Sequence, residues 1–480
     1  MKVKWRLILI VITLMIFSGI YVFMNRQPLK SPTQALPVKQ ADKSDNSDNS
    51  TLPIPKLLVD TNPEVSIADY YLNVQYGDSS FIEGKQTPTL GYNGDYLGPV
   101  IKVSKGEEVR MHVTNELDMP TSVHWHGLVV PGDADGGPHQ LIQPQSVWEP
   151  SFKVSQPAST LWFHPHVVGT TALQVYYGLA GMIIIEDENS KALNLPDDYG
   201  VNDIPLIIQD RSFDSDGSFV YLNNMMDGAV GDYVLVNGVI TPNLLVQQVK
   251  IRFRILNGAN ARNFNLRLEQ NDSFYQIASD GGLLEAPIST ENLFITPGER
   301  AEIIIDFSKY TKGDVVNLFN DNEFVMSFRI GDAAEDLTEI RDSLAVIEKM
   351  DENIATGVKI IVLDGMGHMV SLNGRKFDID RVDDNVALGD VEVWEITTTS
   401  GMMMGSQGHP FHIHGTQFQI LSRDGNPPYL NEKGWKDTVY VWANETVRII
   451  VRFDYKGMYM YHCHILEHEE AGMMGQLEVE

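Results

Sequence analysis

The chain has 480 residues, 43% hydrophobic and 9% aromatic, a balance suited to a folded protein of about three domains. Its 36 basic and 64 acidic side chains leave a net charge of −28, which argues against the basic face that phosphate binding needs, so nucleic acid is not expected as a partner. One cysteine, Cys463, excludes any internal disulfide, and compartment has to be read from elsewhere.

The N-terminus supplies that reading. Lys2, Lys4 and Arg6 precede the run LILIVITLMIFSGIYVFM (7–24), which carries no charge. As a helix it would be ~27 Å long, close to the thickness of a bilayer core. The run ends in Tyr, Phe and Met without a small-x-small site, so residues 1–26 are expected to be an uncleaved anchor rather than a removed signal peptide. The basic side stays inside and the rest of the chain lies outside the cytoplasm, at a cell surface, in a periplasm or secreted. Residues 27–52, with KQADKSDNSDNS, read as a flexible linker.

From residue 53 the chain reads as strands. VIKVSKGEEVRMHVTN, QVKIRFRILNG and DVEVWEITTTS alternate and are rich in β-branched residues. Asn93-Gly94, Asn237-Gly238 and Asn373-Gly374 precede them and are strong hairpin signals, spaced 144 and 136 residues apart. A later strand of each repeat is read at AGMIIIED (180–187), AEIIIDF (301–307) and QLEVE (476–480). The pattern predicts an all-β protein of three sandwich or small-barrel domains in series, at 53–190, 200–348 and 357–480. The charged stretch 332–353 reads as a linker with one helix.

Ten of the 13 histidines fall in four clusters: HWHG (124–127), HPH (164–166), HPFHIHG (409–415) and HCHILEH (462–468). All four lie in the first and third repeats. One His-x-His pair is weak evidence, since it most often decorates a strand; four clusters are not reached by chance. Residues i and i+2 share a face of a strand and i+1 points the other way. His462 and His464 are therefore expected to face one site while Cys463 faces another.

A lone buried cysteine is ordinarily a small core hydrophobe. Here His468 follows five residues on and Met473 five beyond that. One Cys, two His and a long axial Met form a blue-copper electron-transfer set, and His409 of the third repeat is the available second histidine. His124, His126, His164, His166, His412, His414, His462 and His464 remain as four His-x-His pairs. Imidazole clusters of that size suit copper, iron or zinc, and zinc does no redox chemistry. Several coppers close together would collect electrons for a bound oxidant, and dioxygen needs four.

In identity, order and internal spacing these clusters resemble the four copper signatures of the multicopper oxidases (laccases, cuprous oxidases and their relatives). The resemblance covers residues 53–480 and implies three cupredoxin-like Greek-key domains, preceded here by the hydrophobic helix and linker. It implies four copper ions. His409, Cys463, His468 and Met473 would hold type 1 copper; His124 and His412 would hold type 2. His126, His164, His166, His414, His462 and His464 would hold the type 3 pair. Electrons from a small reducing substrate would pass through Cys463 to His462 and His464, and dioxygen would become two waters. Asp135, in GDADGGP, and Glu469 resemble the family's acidic residues that supply protons; the alternative for each is an ordinary loop acid.

The donor is less legible. HWHGLVVPGDADGGP and GHPFHIHG look most like exported copper-efflux oxidases, yet the chain lacks their long Met-rich insertion and the aspartate before His409. Met402, Met403 and Met404, with Met366 and Met369 around His368, offer soft ligands for Cu(I) or simply fill space. A laccase-type oxidation of phenols and aromatic amines is favoured, with Cu(I) as the competing substrate. A copper nitrite reductase would leave most of the eight histidines unexplained, and a non-catalytic copper-binding envelope protein would be expected to have lost ligands. His112 and His139 read as surface or core residues, and the protein is expected to be a monomer.

Overall fold

The computed structural model describes residues 51–63, 67–222, 227–399 and 408–480. The expected anchor and all but the end of the 27–52 linker lie outside the described residues. The last two linker positions are ordered: Thr51 bridges Asn243, and Leu52 donates its N–H to the Asn243 carbonyl and buries its side chain in the second domain. No helix among the described residues is long and apolar enough to cross a membrane.

Each repeat is a sandwich of two sheets over one core. In the first, Leu72, Val109 and Val113 of one sheet pack on Leu161, Phe163, Ile183 and Ile185 of the other. In the second, Phe253, Ile255 and Ile303 meet Leu266, Leu318 and Phe328. In the third, Trp394, Ile396 and Ile449 meet Phe411, Tyr461 and Leu477. The all-β expectation holds, and the strands gather into three such sandwiches in chain order.

The repeat extends to topology. Ile67–Ser79 runs parallel to Glu108–Asn115, Asp203–Arg211 to Lys250–Asn257, and Gly357–Asp364 to Val391–Thr399. Parallel neighbours cannot be joined by a tight hairpin, so the chain visits the opposite sheet between them, as a Greek key requires. The three Asn-Gly positions mark that crossing. Asn93, Asn237 and Asn373 have φ of 54°, 50° and 53°. Each donates its backbone N–H to one residue of the domain's first strand (Asn73, Ile207, Val362) and accepts that residue's N–H on its side-chain oxygen at 2.7–2.8 Å. Asn237-Gly238 and Asn373-Gly374 are two-residue hairpins; at Asn93-Gly94 the chain instead continues to a bridge between Gly91 and Leu97.

Two expectations are corrected. The middle counterpart of AGMIIIED and QLEVE is not AEIIIDF. Gly181–Glu186 and Met474–Val479 pair in parallel with Val100–Ser104 and Asp384–Val386, and the strand doing this in the middle domain is Glu323–Ile330, parallel to Asn243–Val246. Arg300–Asp306 is an inner strand between Lys250–Asn257 and Phe274–Ser279, and its burial gives it the continuous apolar run of a closing strand. Residues 332–353 form no α-helix; Glu352–Ile354 is one 3-10 turn. The stretch is pinned as an extended strap. Leu344 donates to the Glu285 carbonyl and buries its side chain among Leu193, Leu195 and Ile277, and Gln419 bonds the Glu348 carbonyl. These tertiary partners outweigh local helix propensity.

Candidate metal centre

Two pairs of strands build the site. Gly457–Cys463 lies antiparallel to His409–Ile413, with Cys463 opposite Phe411 and His462 opposite His412. Side chains alternate, so His409, Phe411 and Cys463 enter the core of the third domain while His412 and His462 leave by the other face, with His414 and His464 continuing it. In the first domain His124–His126 pairs with Ser159–His164, setting His124 opposite His164 and His126 opposite Trp162. Trp125 and Phe163 point into that domain's core, and the histidines point out toward those of the third. His166 is tied by its N–H to Ser122 Oγ at 2.8 Å.

The eight histidines meet in one buried cluster. Donor atoms of His126, His164 and His464 lie within 4.8 Å of one another, as do those of His166, His414 and His462. His124 and His412 face each other Nε2 to Nε2 at 3.5 Å. His462 Nε2 lies 3.1 Å from His414 Nε2 and 3.2 Å from His166 Nε2. The His124–His412 and His414–His462 contacts are not ordinary hydrogen bonds, because outward partners fix the tautomers of those four rings. A carbonyl oxygen only accepts, so the ring nitrogen facing it carries the hydrogen. His124 Nδ1 faces the Asp135 carbonyl at 3.1 Å, His164 Nδ1 that of Pro165 at 2.8 Å, His412 Nδ1 that of Asp437 at 2.8 Å, and His462 Nδ1 that of Cys463 at 3.0 Å. His414 Nδ1 donates to Asp135 Oδ2 at 2.8 Å. Their Nε2 lone pairs therefore converge with no proton between them. His126 is turned round: its Nε2 donates to Asp437 Oδ1 at 2.9 Å, and its Nδ1 is left without a partner. Converging buried lone pairs fit cations.

Electrostatics agree. Burial, followed by the neighbouring imidazoles, pushes His126, His164, His166, His412, His414 and His464 well below the usual histidine range. Burial takes His462 to about 3. Neutral imidazole is the ligand form, so the cluster needs no proton release before binding.

The thiol site is separate, as the alternation predicts. Cys463 Sγ lies 3.4 Å from His409 Nδ1 and 3.8 Å from His468 Nδ1. Met473 is fully buried in the same core, its carbonyl accepting the Cys463 N–H at 3.1 Å and its own N–H bonding the His468 carbonyl at 2.9 Å. Burial pushes the Cys463 thiol well above its ordinary value, so a thiolate here needs a cation beside it. Burial likewise takes His409 down to about 3.

Both predicted acids reach the cluster. Besides His414, Asp135 Oδ2 lies 3.4 Å from His124 Nδ1, and Asp135 Oδ1 has no partner among the described residues. Glu469 lies 3.5 Å from His166 Nε2 and 3.2 Å from His462 Nδ1; burial, then Glu470, pushes its carboxyl well above the ordinary range. His112 stands apart between Glu149 (2.6 Å) and Asp69 (3.0 Å), and His139 bonds Gln476 at 2.8 Å. Met402, Met403 and Met404 lie outside the described residues. Met369, in the turn Gly367–Met369 beside the helix Leu466–Glu470 that carries His468, is 79% exposed and fills no core. Sequence reasoning missed Asp437, which belongs to no local pattern, and Trp162, whose ring stacks on His164 at 4.1 Å and whose place two residues before it in Ser159–His164 is the signal that could have found it.

Comparison with known proteins agrees with this geometry. Family models described as multicopper oxidase match residues 73–190, 209–321 and 345–480. A multicopper oxidase of Staphylococcus haemolyticus is 44% identical over 411 residues, covering 86% of this chain and 88% of that protein. The crystal structure of a laccase from Pediococcus acidilactici matches with a TM-score of 0.86 at 41% identity, covering 90% of this chain and 93% of that one. The cell division protein FtsP of Escherichia coli is 34% identical over 459 residues, covering 89% and 92%. The chain belongs to the multicopper oxidase family, whose members bind copper and use oxygen as electron acceptor.

Proposed function

We propose that this multicopper oxidase holds four copper ions and oxidises phenols and aromatic amines in the manner of a laccase. Type 1 copper would sit among His409, Cys463, His468 and Met473, type 2 between His124 and His412. The type 3 pair would be held by His126, His164 and His464 and by His166, His414 and His462. The observation that carries this is the convergence of buried, unprotonated ring nitrogens in the cluster, one residue away from a buried Cys-His-His set. When bound, copper supplies one-electron oxidation of the donor and four-electron reduction of dioxygen.

The chain's own residues do the rest. Cys463 joins the two regions through its backbone to His462 and His464, so the path between them is a few covalent bonds. Asp135 Oδ2 orients His414, and its free Oδ1 is placed to pass protons. Glu469, whose carboxyl burial pushes well above the ordinary range, lies beside His166 and His462 and is the second acid placed to pass protons. Residues 7–24 would keep this machinery outside the cytoplasm.

Exposed Met369, beside the helix of His468, favours a second reading in which Cu(I) is the physiological donor. Likeness to a cell division protein raises a non-catalytic role, against which stands the complete donor set. The deciding experiment gives copper-loaded protein a phenol, an aromatic amine or Cu(I) under air. Blue absorbance at about 600 nm and oxygen uptake fastest with the phenol or amine are expected. Uptake with Cu(I) alone would move the assignment to a cuprous oxidase, and no uptake with any donor would reject the enzyme.

A further inference from the structure

The middle domain has no histidine, yet it reaches the cluster through one fully buried arginine. Arg300 opens the strand Arg300–Asp306. Its Nε donates to the Thr160 carbonyl of the first domain at 3.0 Å, and Nη1 to the Gly298 carbonyl at 2.8 Å. Nη1 and Nη2 also fork onto the two carboxylate oxygens of Asp437 in the third domain, the first at 2.8 Å, while Nη2 bonds the Asp280 carbonyl. Paired forks of this kind fix orientation as well as charge.

Asp437 passes that orientation on to two histidines. Oδ1 accepts His126 Nε2–H and the backbone oxygen accepts His412 Nδ1–H. The two rings stack, 3.6 Å apart and 10° from parallel, so neither turns without the other. Five cluster histidines with a fixed Nδ1–H turn Nε2 inward; His126 turns Nδ1 inward, and the Asp437 carboxylate makes the difference. Lys436 and Glu299 complete the surroundings, with Lys436 Nζ 2.9 Å from both Asp280 Oδ2 and Glu299 Oε1.

We propose that Arg300, acting through Asp437, is a positioning residue of the histidine cluster, setting which nitrogen His126 presents and holding His412 against it. The middle domain then serves as a clamp on a site to which it gives no ligand. This rests on the cluster holding copper as proposed above.

A control of the same structural class is at hand. Arg254 is also buried between the first and second domains, bonding Asp203 at 2.8 Å, Glu302 at 2.8 Å and Thr160 Oγ1 at 2.9 Å, and none of its bonds reaches a histidine. The test compares wild type, Arg300→Lys, Asp437→Asn and Arg254→Lys as copper-loaded full chains. Copper per molecule is read after dialysis against graded chelator, with the blue band, the electron paramagnetic resonance of non-blue copper and the melting temperature. Arg300→Lys and Asp437→Asn should release cluster copper at ~10–100-fold lower chelator and alter the non-blue signal, with the blue band unchanged. Arg254→Lys should lose melting temperature only. Wild-type retention in both test variants would overturn the proposal, as would losses that simply track melting temperature as in Arg254→Lys. If Arg300→Lys does not fold, Asp437→Asn decides on the same readouts; failure of both to fold while Arg254→Lys folds makes the role structural and overturns the proposal. A wild type without blue band or cluster copper would instead sink the underlying reading.

Discussion

The thiol site and the histidine cluster share the backbone of three residues, 462–464, but are built on different scales. His409, Cys463, His468 and Met473 all belong to the third domain, and two strands and one short turn of helix bring them together. The cluster is assembled across a boundary, with four histidines from each outer domain and a clamp from the middle one. The thiol site should therefore form wherever the third domain folds, while the cluster depends on docking of the domains. Cys463→Ser breaks the comparison most severely. It should abolish the blue absorbance and bring oxygen uptake to the uncatalysed rate, while the cluster keeps its copper, because its ring nitrogens face the other way. Metal analysis alongside oxygen uptake checks this; uptake that survives would mean electrons reach the cluster without the cysteine.

Gly298→Ala sharpens the same contrast from the middle domain. Gly298 has φ +84°, and a Cβ there would stand 2.8–2.9 Å from the His464 ring. The left-handed backbone alone costs about 1–3 kcal/mol for a residue with a side chain, and the ring has to move as well. We expect lower thermal stability, weakened cluster copper and slower oxygen uptake with the blue band retained. Absorbance and copper content of one sample test it, and equal loss at both sites would contradict the contrast.

That prediction also marks where the sequence stops being informative. Parity at 462–464 was legible because alternation is a local property of any strand, and it assigned Cys463 and its neighbours to opposite faces correctly. The tandem repeat was legible from Asn93, Asn237 and Asn373, since a positive φ restricts the residue type. The middle domain's closing strand was not, because Arg300–Asp306 and Glu323–Ile330 are both apolar β-runs and only pairing separates them. The contacts of Arg300 and His126 with Asp437 span 137 and 311 residues, and nothing local in KDT (436–438) announces them.

The smallest expected effect comes from a histidine outside both sites, in an opposite electrostatic setting. The cluster imidazoles face one another and are driven toward neutrality. His112 instead lies between two carboxylates, with Nδ1 2.6 Å from Glu149, Nε2 3.0 Å from Asp69, and its ring stacked on Tyr71 at 4.3 Å. The His112 hydrogen bond, followed by that of Asn62, holds the Asp69 carboxyl below its ordinary value. A carboxyl depressed in the folded state contributes stability above its unfolded pKa, and that contribution is lost as pH falls through the folded value. His112→Gln removes the largest cause, so Asp69 should titrate closer to an unfolded carboxyl and the acid-unfolding midpoint should move upward. The shift should be modest, because solvent screens the pair. At neutral pH the blue band, copper content and oxygen uptake should be those of wild type. A change in any of them would mean that His112 is coupled to the copper sites, and the division between this carboxylate-flanked histidine and the cluster would fail.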